Sequence, residues 1–180
     1  MGITVYPLPT AVLSNQTEFD RFACRSLTPE MSAFMQQWQV MGLQFDGISI
    51  GFLNDREQVA VAHDFLDRFH RPQTLFLLDP VMGDDGVLYP VYNRLMVEAM
   101  RSLAVRADIL TPNLTEACLL CEEDYRKMQS ADEKTLHTLM RTLSAMGPRI
   151  VLLTGIHRGN AIESFCYTAE NDAVFSLSNE

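Results

Sequence analysis

Acidic and glycine residues are concentrated in one short stretch of the sequence, DPVMGDDG at residues 79–86. This stretch follows the apolar run TLFLL at residues 74–78, which is typical of a buried parallel strand. Open α/β folds bind ligands at the carboxyl edge of the sheet, where we expect the carboxylates of Asp79 and Asp84. Paired carboxylates suit Mg²⁺ and phosphate chemistry, and glycines let a ligand approach the backbone. The stretch therefore predicts a phosphoryl-transfer site.

Two other predicted strands also end in polar residues. The strand at residues 107–110 is followed by Thr111 and, after a proline, by Asn113, and the strand at residues 149–154 ends in Thr154. If these strands are parallel neighbours of the strand that precedes Asp79, all three ends project from the same edge of the sheet. The sequence therefore predicts one polar edge built from three strand ends.

Asn113 and Glu116 stand three residues apart at the start of a helix predicted over residues 114–122. One interpretation is that both side chains hold the water ligands of Mg²⁺ while the helix N-terminus faces phosphate. The other is a capping arrangement, with Asn113 as the N-cap residue and Glu116 at the third helical position. The sequence leaves both open, and the nearby acidic stretch favours the first.

The elements that position these residues alternate between strand and helix. Amphipathic helices are predicted at residues 29–41, 55–69, 91–104, 114–122 and 131–146, and strands at 3–8, 10–13, 45–50, 74–78, 107–110, 149–154, 163–168 and 173–177. Thr28 is the predicted N-cap of the first helix, and Ser130 with Glu133 is the predicted capping box of the last. This alternation predicts an α/β fold with a mostly parallel sheet and right-handed crossovers. The 180 residues suit a single domain.

Composition excludes several classes of function. The net charge of −9 argues against nucleic-acid binding, which usually needs a basic face. No apolar run approaches the roughly 20 residues that span a bilayer, and the first residues do not resemble a signal peptide, so we expect a cytoplasmic protein without membrane contact. Cys118 and Cys121 form a C-x-x-C motif, but the surrounding residues predict a helix, and we interpret both cysteines as structural.

Taken together, the motifs resemble the pyridoxal (pyridoxamine) kinases of the ribokinase superfamily. The matching segments are PLPTAVLSNQT at residues 7–17, GFL at 51–53, DPVMGD at 79–84, ADILTPNLTEA at 107–117, SAMGP at 144–148 and VLLTG at 151–155. They follow in order along essentially the whole chain. The resemblance implies a ribokinase-like fold, a three-layer α/β sandwich with a mostly parallel central sheet. It also implies that residues 1–180 form a single but partial domain.

The resemblance implies ATP-dependent phosphorylation of the 5′-hydroxymethyl group of pyridoxal, pyridoxamine or pyridoxine by a homodimer. Mg²⁺ and ATP are the implied cofactor and co-substrate. The implied roles are Asp79 and Glu116 for Mg²⁺; Asp84, Thr111, Asn113 and Thr154 for ATP; and Ser14, Thr17 and Phe52 for the vitamer. Phe52 replaces a tyrosine of many relatives, and Gln16 replaces a histidine, so the preferred vitamer stays open.

The family takes its catalytic base and anion hole from a Gly-x-Gly-Asp loop, and this motif does not occur in the 180 residues. No catalytic residue is therefore assigned. The N-terminal strand of the family is also missing, so we expect either a piece of a kinase or a truncated relative, and we predict that this chain alone does not phosphorylate pyridoxal. The alternatives are a hydroxymethylpyrimidine (phosphate) kinase and a non-catalytic protein that binds nucleotide or vitamer.

Overall fold

The structure, a computed structural model, describes residues 2–15, 21–159 and 161–179. The strands are β1 (Ala11–Leu13), β2 (Cys24–Ser26), β3 (Gly47–Ile50), β4 (Leu75–Leu78), β5 (Gly83–Asp84), β6 (Val87–Leu88), β7 (Ile109–Leu110), β8 (Ile150–Arg158), β9 (Ala161–Thr168) and β10 (Ala173–Asn179). The helices are α1 (Thr28–Val40), α2 (Arg56–Phe69), α3 (Arg94–Ala104), α4 (Leu114–Cys121), α5 (Tyr125–Met128) and α6 (Glu133–Ser144).

A six-stranded sheet, in the order β10-β9-β8-β7-β4-β3, organises the molecule. Strands β3, β4, β7 and β8 pair in parallel, whereas β9 and β10 form an antiparallel extension next to β8. Strands β1 and β2 form a separate small hairpin, and so do β5 and β6. The predicted α/β class with a mostly parallel sheet and a closing hairpin is therefore confirmed.

The helices that connect the parallel strands lie on one face of the sheet. The strand order advances in a single direction from β3 to β8, so right-handed crossovers place α2, α3, α4 and α6 on the same side. The side chains of Phe76, Leu78 and Leu110 point to that side and are fully buried. Leu75, on the other face of β4, is 46% exposed. The core of the described residues therefore lies between the sheet and one helical layer.

The prediction of a strand at residues 3–8 is wrong, because this segment is irregular. Pro7 cannot donate to a sheet ladder, and the segment is instead held by side-chain packing. Tyr6 packs edge-on against Trp38 and Phe45, with ring centroids 5.9 and 6.0 Å away. The segment therefore covers the aromatic cluster beside β3 without extending the sheet.

Two predicted helix caps are also wrong. Leu27 occupies the N-cap position of α1 and makes no side-chain cap. Thr28 is buried instead, and its hydroxyl forms a hydrogen bond with the Ser26 hydroxyl at 2.8 Å. Asp132, not Ser130, caps α6 by accepting from the backbone of the third helical residue at 2.8 Å. A short carboxylate one residue before the helix satisfies an orphan N–H directly, so it displaces the more distant serine.

The C-x-x-C motif lies on α4, as predicted, and Cys118 is buried. Burial raises the pKa of the Cys118 thiol to about 11, which suits an inert packing role. Within residues 2–15, 21–159 and 161–179, none of the helices has both the length and the apolar character needed to cross a membrane.

Candidate functional site

The three predicted strand ends lie side by side at one edge of the sheet. The backbone N–H of Asp79, just after β4, donates to the carbonyl of Ile50 at the end of β3 over 2.8 Å. The N–H of Thr111, just after β7, donates to the last carbonyl of β4 over 3.0 Å. The N–H of Thr154 on β8 donates over 3.0 Å to the carbonyl of the residue that follows Thr111. The structure therefore brings Asp79, Thr111 and Thr154 together.

Asn113 and Glu116 form a capping box at the start of α4. The Asn113 side chain accepts from the Glu116 N–H at 2.9 Å, and the Glu116 side chain accepts from the Asn113 N–H at 2.8 Å. Both side chains also reach outside the helix, since Asn113 donates to the carbonyl of Gly83 at 2.8 Å and Glu116 accepts from the N–H of Met82 at 3.1 Å. The capping interpretation is thus realised, and the same residues hold the acidic stretch in place.

A tight β5–β6 hairpin follows Met82 within the acidic stretch. Its turn needs a left-handed backbone at Asp85 and Gly86, with φ of 47° and 78°. A Cβ at Gly86 would lie 2.5 Å from the Tyr125 ring, and one at Gly83 would lie 2.2 Å from the Val87 carbonyl oxygen. Both glycines are therefore required by close approach.

Two residues that sequence reasoning did not single out secure this hairpin. Thr115 is buried, and its hydroxyl oxygen accepts from the Gly86 N–H at 2.8 Å. Tyr125, on the short helix α5, places its ring against Gly86 from the other side. The position of Thr115 between Asn113 and Glu116 was an available signal, whereas nothing local in the sequence pointed to Tyr125.

Three carboxylates share this edge. Glu116 is only 4% exposed, and burial raises its pKa from 4.5 to about 7, with Asp79 and Asp84 adding to the rise. The hydrogen bonds from the backbone oppose that rise without cancelling it. Burial also raises the pKa of Asp79. Within the described ranges, no lysine or arginine forms an ion pair with any of the three carboxylates.

Two of these carboxylates, Asp79 and Glu116, have the donor atoms that Mg²⁺ prefers. Hard cations take oxygen ligands, and Mg²⁺ is usually bound by one or two carboxylates while it keeps several waters. The residues that the structure describes contain no cluster of three or more His, Cys, Asp or Glu arranged as a metal cage. Both Glu116 oxygens already accept a backbone N–H, which leaves one lone pair on each. Asp79 is therefore the better direct ligand, and Glu116 suits a contact through water.

Phe52 lies beside this edge, two residues beyond the end of β3. Its ring is half-buried and packs against Tyr92 with ring centroids 6.0 Å apart. Tyr92 is held in turn, because its hydroxyl donates to the carbonyl of Leu53 at 2.6 Å. Phe52 and Tyr92 therefore form a fixed aromatic wall next to the Asp79 strand end, of which only Phe52 was predicted.

Ser14 lies directly after β1, where the segment that connects β1 to β2 begins. Its hydroxyl oxygen accepts from the N–H of Ala23 at 2.9 Å, and its hydroxyl donates to Asn15 at 2.6 Å. Thr17, the other predicted vitamer residue of this segment, lies outside the described residues.

The β1–β2 hairpin rests on the turn that carries Phe52. The Thr10 hydroxyl, next to β1, donates to the Phe52 carbonyl at 2.9 Å, and the Cys24 thiol donates to the Asn54 side chain at 3.2 Å. These contacts join residues that are 42 and 30 positions apart in the sequence. Hydrogen bonds thus join the hairpin, the Phe52 turn and, through the end of β3, the Asp79 strand end.

An acid and polar residues at parallel strand ends, beside a glycine-bearing hairpin and a helix N-terminus, define an α/β protein of the open-sheet class, whose members bind ligands at this edge. The family model of the phosphomethylpyrimidine kinases matches residues 6–180. The chain belongs to that family.

The individual relatives of this chain include proteins named pyridoxal kinases. The pyridoxal kinase PdxY of Deinococcus radiodurans is 31% identical over 94% of this chain and 60% of the relative. A Bacteroides thetaiotaomicron protein assigned by name to the phosphomethylpyrimidine kinases, and solved with pyridoxal, is 35% identical, with a TM-score of 0.92 over 98% of this chain and 62% of its own. The pyridoxal kinase of Lactobacillus plantarum is 27% identical, with a TM-score of 0.80 over 96% of this chain and 60% of its own.

The predicted resemblance to pyridoxal kinases and the ribokinase-like fold is therefore confirmed. The chain spans about 60% of the length of the curated relatives that it matches.

Proposed function

We propose that the chain belongs to a cytoplasmic kinase that uses ATP to phosphorylate the 5′-hydroxymethyl group of a B6 vitamer. The observation that carries this proposal is the edge at which the Asp79 strand end meets the Phe52 turn. It offers oxygen ligands for a cation next to an aromatic wall for a ring. The similarity to pyridoxal kinases, and to a Bacteroides protein solved with pyridoxal, supports the same substrate class.

Phosphoryl transfer demands alignment of the acceptor hydroxyl and neutralisation of phosphate charge more than covalent chemistry. We assign the cation to Asp79 and, through water, to Glu116. When bound, Mg²⁺ would supply the charge neutralisation. We assign the nucleotide to the polar strand ends and the hairpin, through Asp84, Thr111, Asn113 and Thr154. The N-terminus of α4 adds a favourable field for anionic phosphate.

The vitamer side of the proposed site uses Phe52, Ser14 and Thr17. The half-buried Phe52 ring can pack on the pyridine ring, and Tyr92 behind it keeps it in place. Ser14 supplies a hydroxyl at the end of the hairpin that rests on the Phe52 turn. Phe52 offers packing without a hydroxyl contact, so vitamer preference depends on the hairpin rather than on this ring.

The proposed whole enzyme is a homodimer whose catalytic base comes from a Gly-x-Gly-Asp loop, and that motif does not occur in these 180 residues. We therefore expect this chain alone to bind ligands without turnover. An ATP-coupled assay with pyridoxal and Mg²⁺ that shows normal turnover would contradict this expectation. Light scattering during size-exclusion chromatography tests the dimer.

Calorimetric titration of this chain tests the proposed ligands. Wild-type chain should bind pyridoxal, and it should bind ATP more tightly with Mg²⁺ than without. Asp79→Asn should lose the Mg²⁺-dependent gain, because it removes the carboxylate assigned to the cation. Asp64→Asn, at an exposed carboxylate of α2, is the matched control and should behave as wild type. Equal Mg²⁺ dependence in Asp79→Asn and wild type would reject the cation site.

A hydroxymethylpyrimidine (phosphate) kinase is the second candidate, favoured by the name of the matching family. A panel of pyridoxal, pyridoxamine, pyridoxine and hydroxymethylpyrimidine separates the two. Tighter binding of the pyrimidine than of all three vitamers would select the second candidate.

A further inference from the structure

A fully buried amide lies beneath the proposed vitamer site. Gln58, in the first turn of α2, is 0% exposed. Its side-chain oxygen accepts from the Asn54 N–H at 2.7 Å, and its side-chain nitrogen donates to the Thr10 carbonyl at 2.6 Å. The same nitrogen lies 3.1 Å from the Ser26 hydroxyl and 3.2 Å from the Thr28 hydroxyl. The amide is therefore satisfied on both sides, as a buried polar group must be.

The partners of Gln58 belong to two separate pieces of the site. Thr10 and Ser26 lie at the base of the β1–β2 hairpin, and Ser14 lies at its opposite end, directly after β1. Asn54 follows Phe52 in the turn after β3. The Thr10 hydroxyl also donates to the Phe52 carbonyl at 2.9 Å, so one residue of the hairpin base is bonded both to the buried amide and to the aromatic turn.

We propose that Gln58 is a positioning residue for the vitamer, which sets the spacing between the Ser14 hairpin and the Phe52 turn. This inference rests on the proposed function and assigns Gln58 no contact with substrate. The position needs an acceptor toward Asn54 and a donor toward Thr10 at once. Glutamine meets both needs, whereas glutamate lacks the donor and an apolar side chain lacks both groups. Among the described residues, those proposed for the nucleotide do not bond to the partners of this amide, so its loss should weaken the binding of the vitamer selectively.

The test replaces Gln58 with methionine, which keeps the length of the side chain and removes its hydrogen bonds. Gln36→Met, at an exposed position of α1, is the matched control. We expect the Kd for pyridoxal to rise about tenfold in Gln58→Met, while the Kd for ATP with Mg²⁺ stays within about twofold of wild type. Hydrogen exchange should become faster at residues 10–14 and 23–28 and should stay unchanged in β8.

Other outcomes overturn the proposal. An unchanged Kd for pyridoxal in Gln58→Met, or an equal loss of affinity for both ligands, would show that the amide has only a structural role. If Gln58→Met does not fold, Gln58→Glu assayed at pH 8 decides, because it keeps the acceptor toward Asn54 and loses the donor toward Thr10. The same selective loss of pyridoxal affinity supports the proposal, and unchanged affinity overturns it.

Binding of pyridoxal to the wild-type chain tests the proposed function separately from the role of Gln58. If the wild-type chain binds no pyridoxal, the proposed substrate is wrong. Hydrogen exchange still reports on Gln58 in that case. Faster exchange at residues 10–14 and 23–28 in Gln58→Met than in Gln36→Met supports its role in placing the hairpin, and equal exchange overturns it.

Discussion

Asn113 donates its side-chain N–H to the carbonyl oxygen of Gly83 at 2.8 Å, so the residue that caps α4 also anchors the β5–β6 hairpin. The oxygen of the same amide accepts from the third residue of the helix at 2.9 Å. One side chain thus fixes the proposed phosphate-binding hairpin relative to the helix N-terminus. The two functions use different atoms, which makes them separable by mutation.

Asn113→Asp should loosen the hairpin and keep the helix cap. The carboxylate still accepts from the helix, but it can no longer donate to Gly83 and places a negative oxygen against that carbonyl. We expect a loss of about 1–2 kcal/mol in the free energy of unfolding, measured in urea. Asn113→Ala should lose more, because it also removes a cap worth about 1 kcal/mol.

The matched control is Asn93→Asp. Asn93 caps α3 by accepting from the Met96 N–H at 3.1 Å and is exposed, so aspartate there retains this cap bond. Its free energy of unfolding should stay within about 0.5 kcal/mol of wild type. Equal effects of Asn93→Asp and Asn113→Asp would show that the Gly83 contact contributes nothing.

The raised pKa of Glu116 predicts that stability falls with rising pH. The folded state holds the proton up to about pH 7, whereas the unfolded chain releases it near 4.5. The stabilisation by protonated Glu116 is therefore complete below the pKa of this group in the unfolded chain. It is lost as the pH rises through the pKa of the group in the folded chain. Across that window the free energy of unfolding should drop by about 3 kcal/mol. Urea titrations at several pH values measure it.

Glu116→Gln removes this ionisation and should flatten most of the pH dependence. Asp79, whose pKa is also raised, leaves a smaller slope of the same sign. Glu133→Gln, at an exposed first-turn acid of α6, is the control and should keep the wild-type profile. A Glu116→Gln profile that matches wild type would place the titration elsewhere. Mg²⁺ should stabilise the wild type most at high pH, where the carboxylates are ionised.

The sequence predicted those parts of the site that are contiguous in the chain. The acidic stretch and the Asn113–Glu116 pair carry their chemistry within a few residues, and alternation with helices places them at one sheet edge. Contacts such as Tyr125 on Gly86 join distant segments, so no local pattern contains them. At residues 3–8 a local pattern was misleading. The apolar alternation resembles a strand, but the segment packs against Trp38 and does not pair with another strand.

Gly86→Ala tests the contact with Tyr125. Alanine there would suffer both the left-handed backbone, with φ of 78°, and a Cβ 2.5 Å from the Tyr125 ring. We expect a loss of about 2–3 kcal/mol, of which the backbone accounts for about 1. Gly42→Ala is the control, since Gly42 has φ of 66° and open space around its Cβ position.

The double variant Gly86→Ala with Tyr125→Ala separates the two terms. Removing the ring relieves the overlap, so only the cost of the left-handed backbone remains. The free energy of unfolding should therefore fall from Tyr125→Ala to the double variant by about as much as it falls from wild type to Gly42→Ala. A double-mutant cycle in urea measures this coupling. Strict additivity of the two single changes would mean that the ring moves aside without cost.

Leu75 and Leu78 lie on opposite faces of β4 and should respond differently to truncation. Leu78 is fully buried under the helices, so Leu78→Ala should cost about 2–5 kcal/mol. Leu75 is 46% exposed and lies on the opposite face of the sheet from the connecting helices. Leu75→Ala should therefore lower the free energy of unfolding of this chain by under about 1 kcal/mol. Urea unfolding of both variants at several protein concentrations measures the contrast. Parallel strands are normally covered on both faces, so an equally large loss in Leu75→Ala would show that this face is covered in solution. A loss that grows with protein concentration would identify the cover as a second copy of the chain.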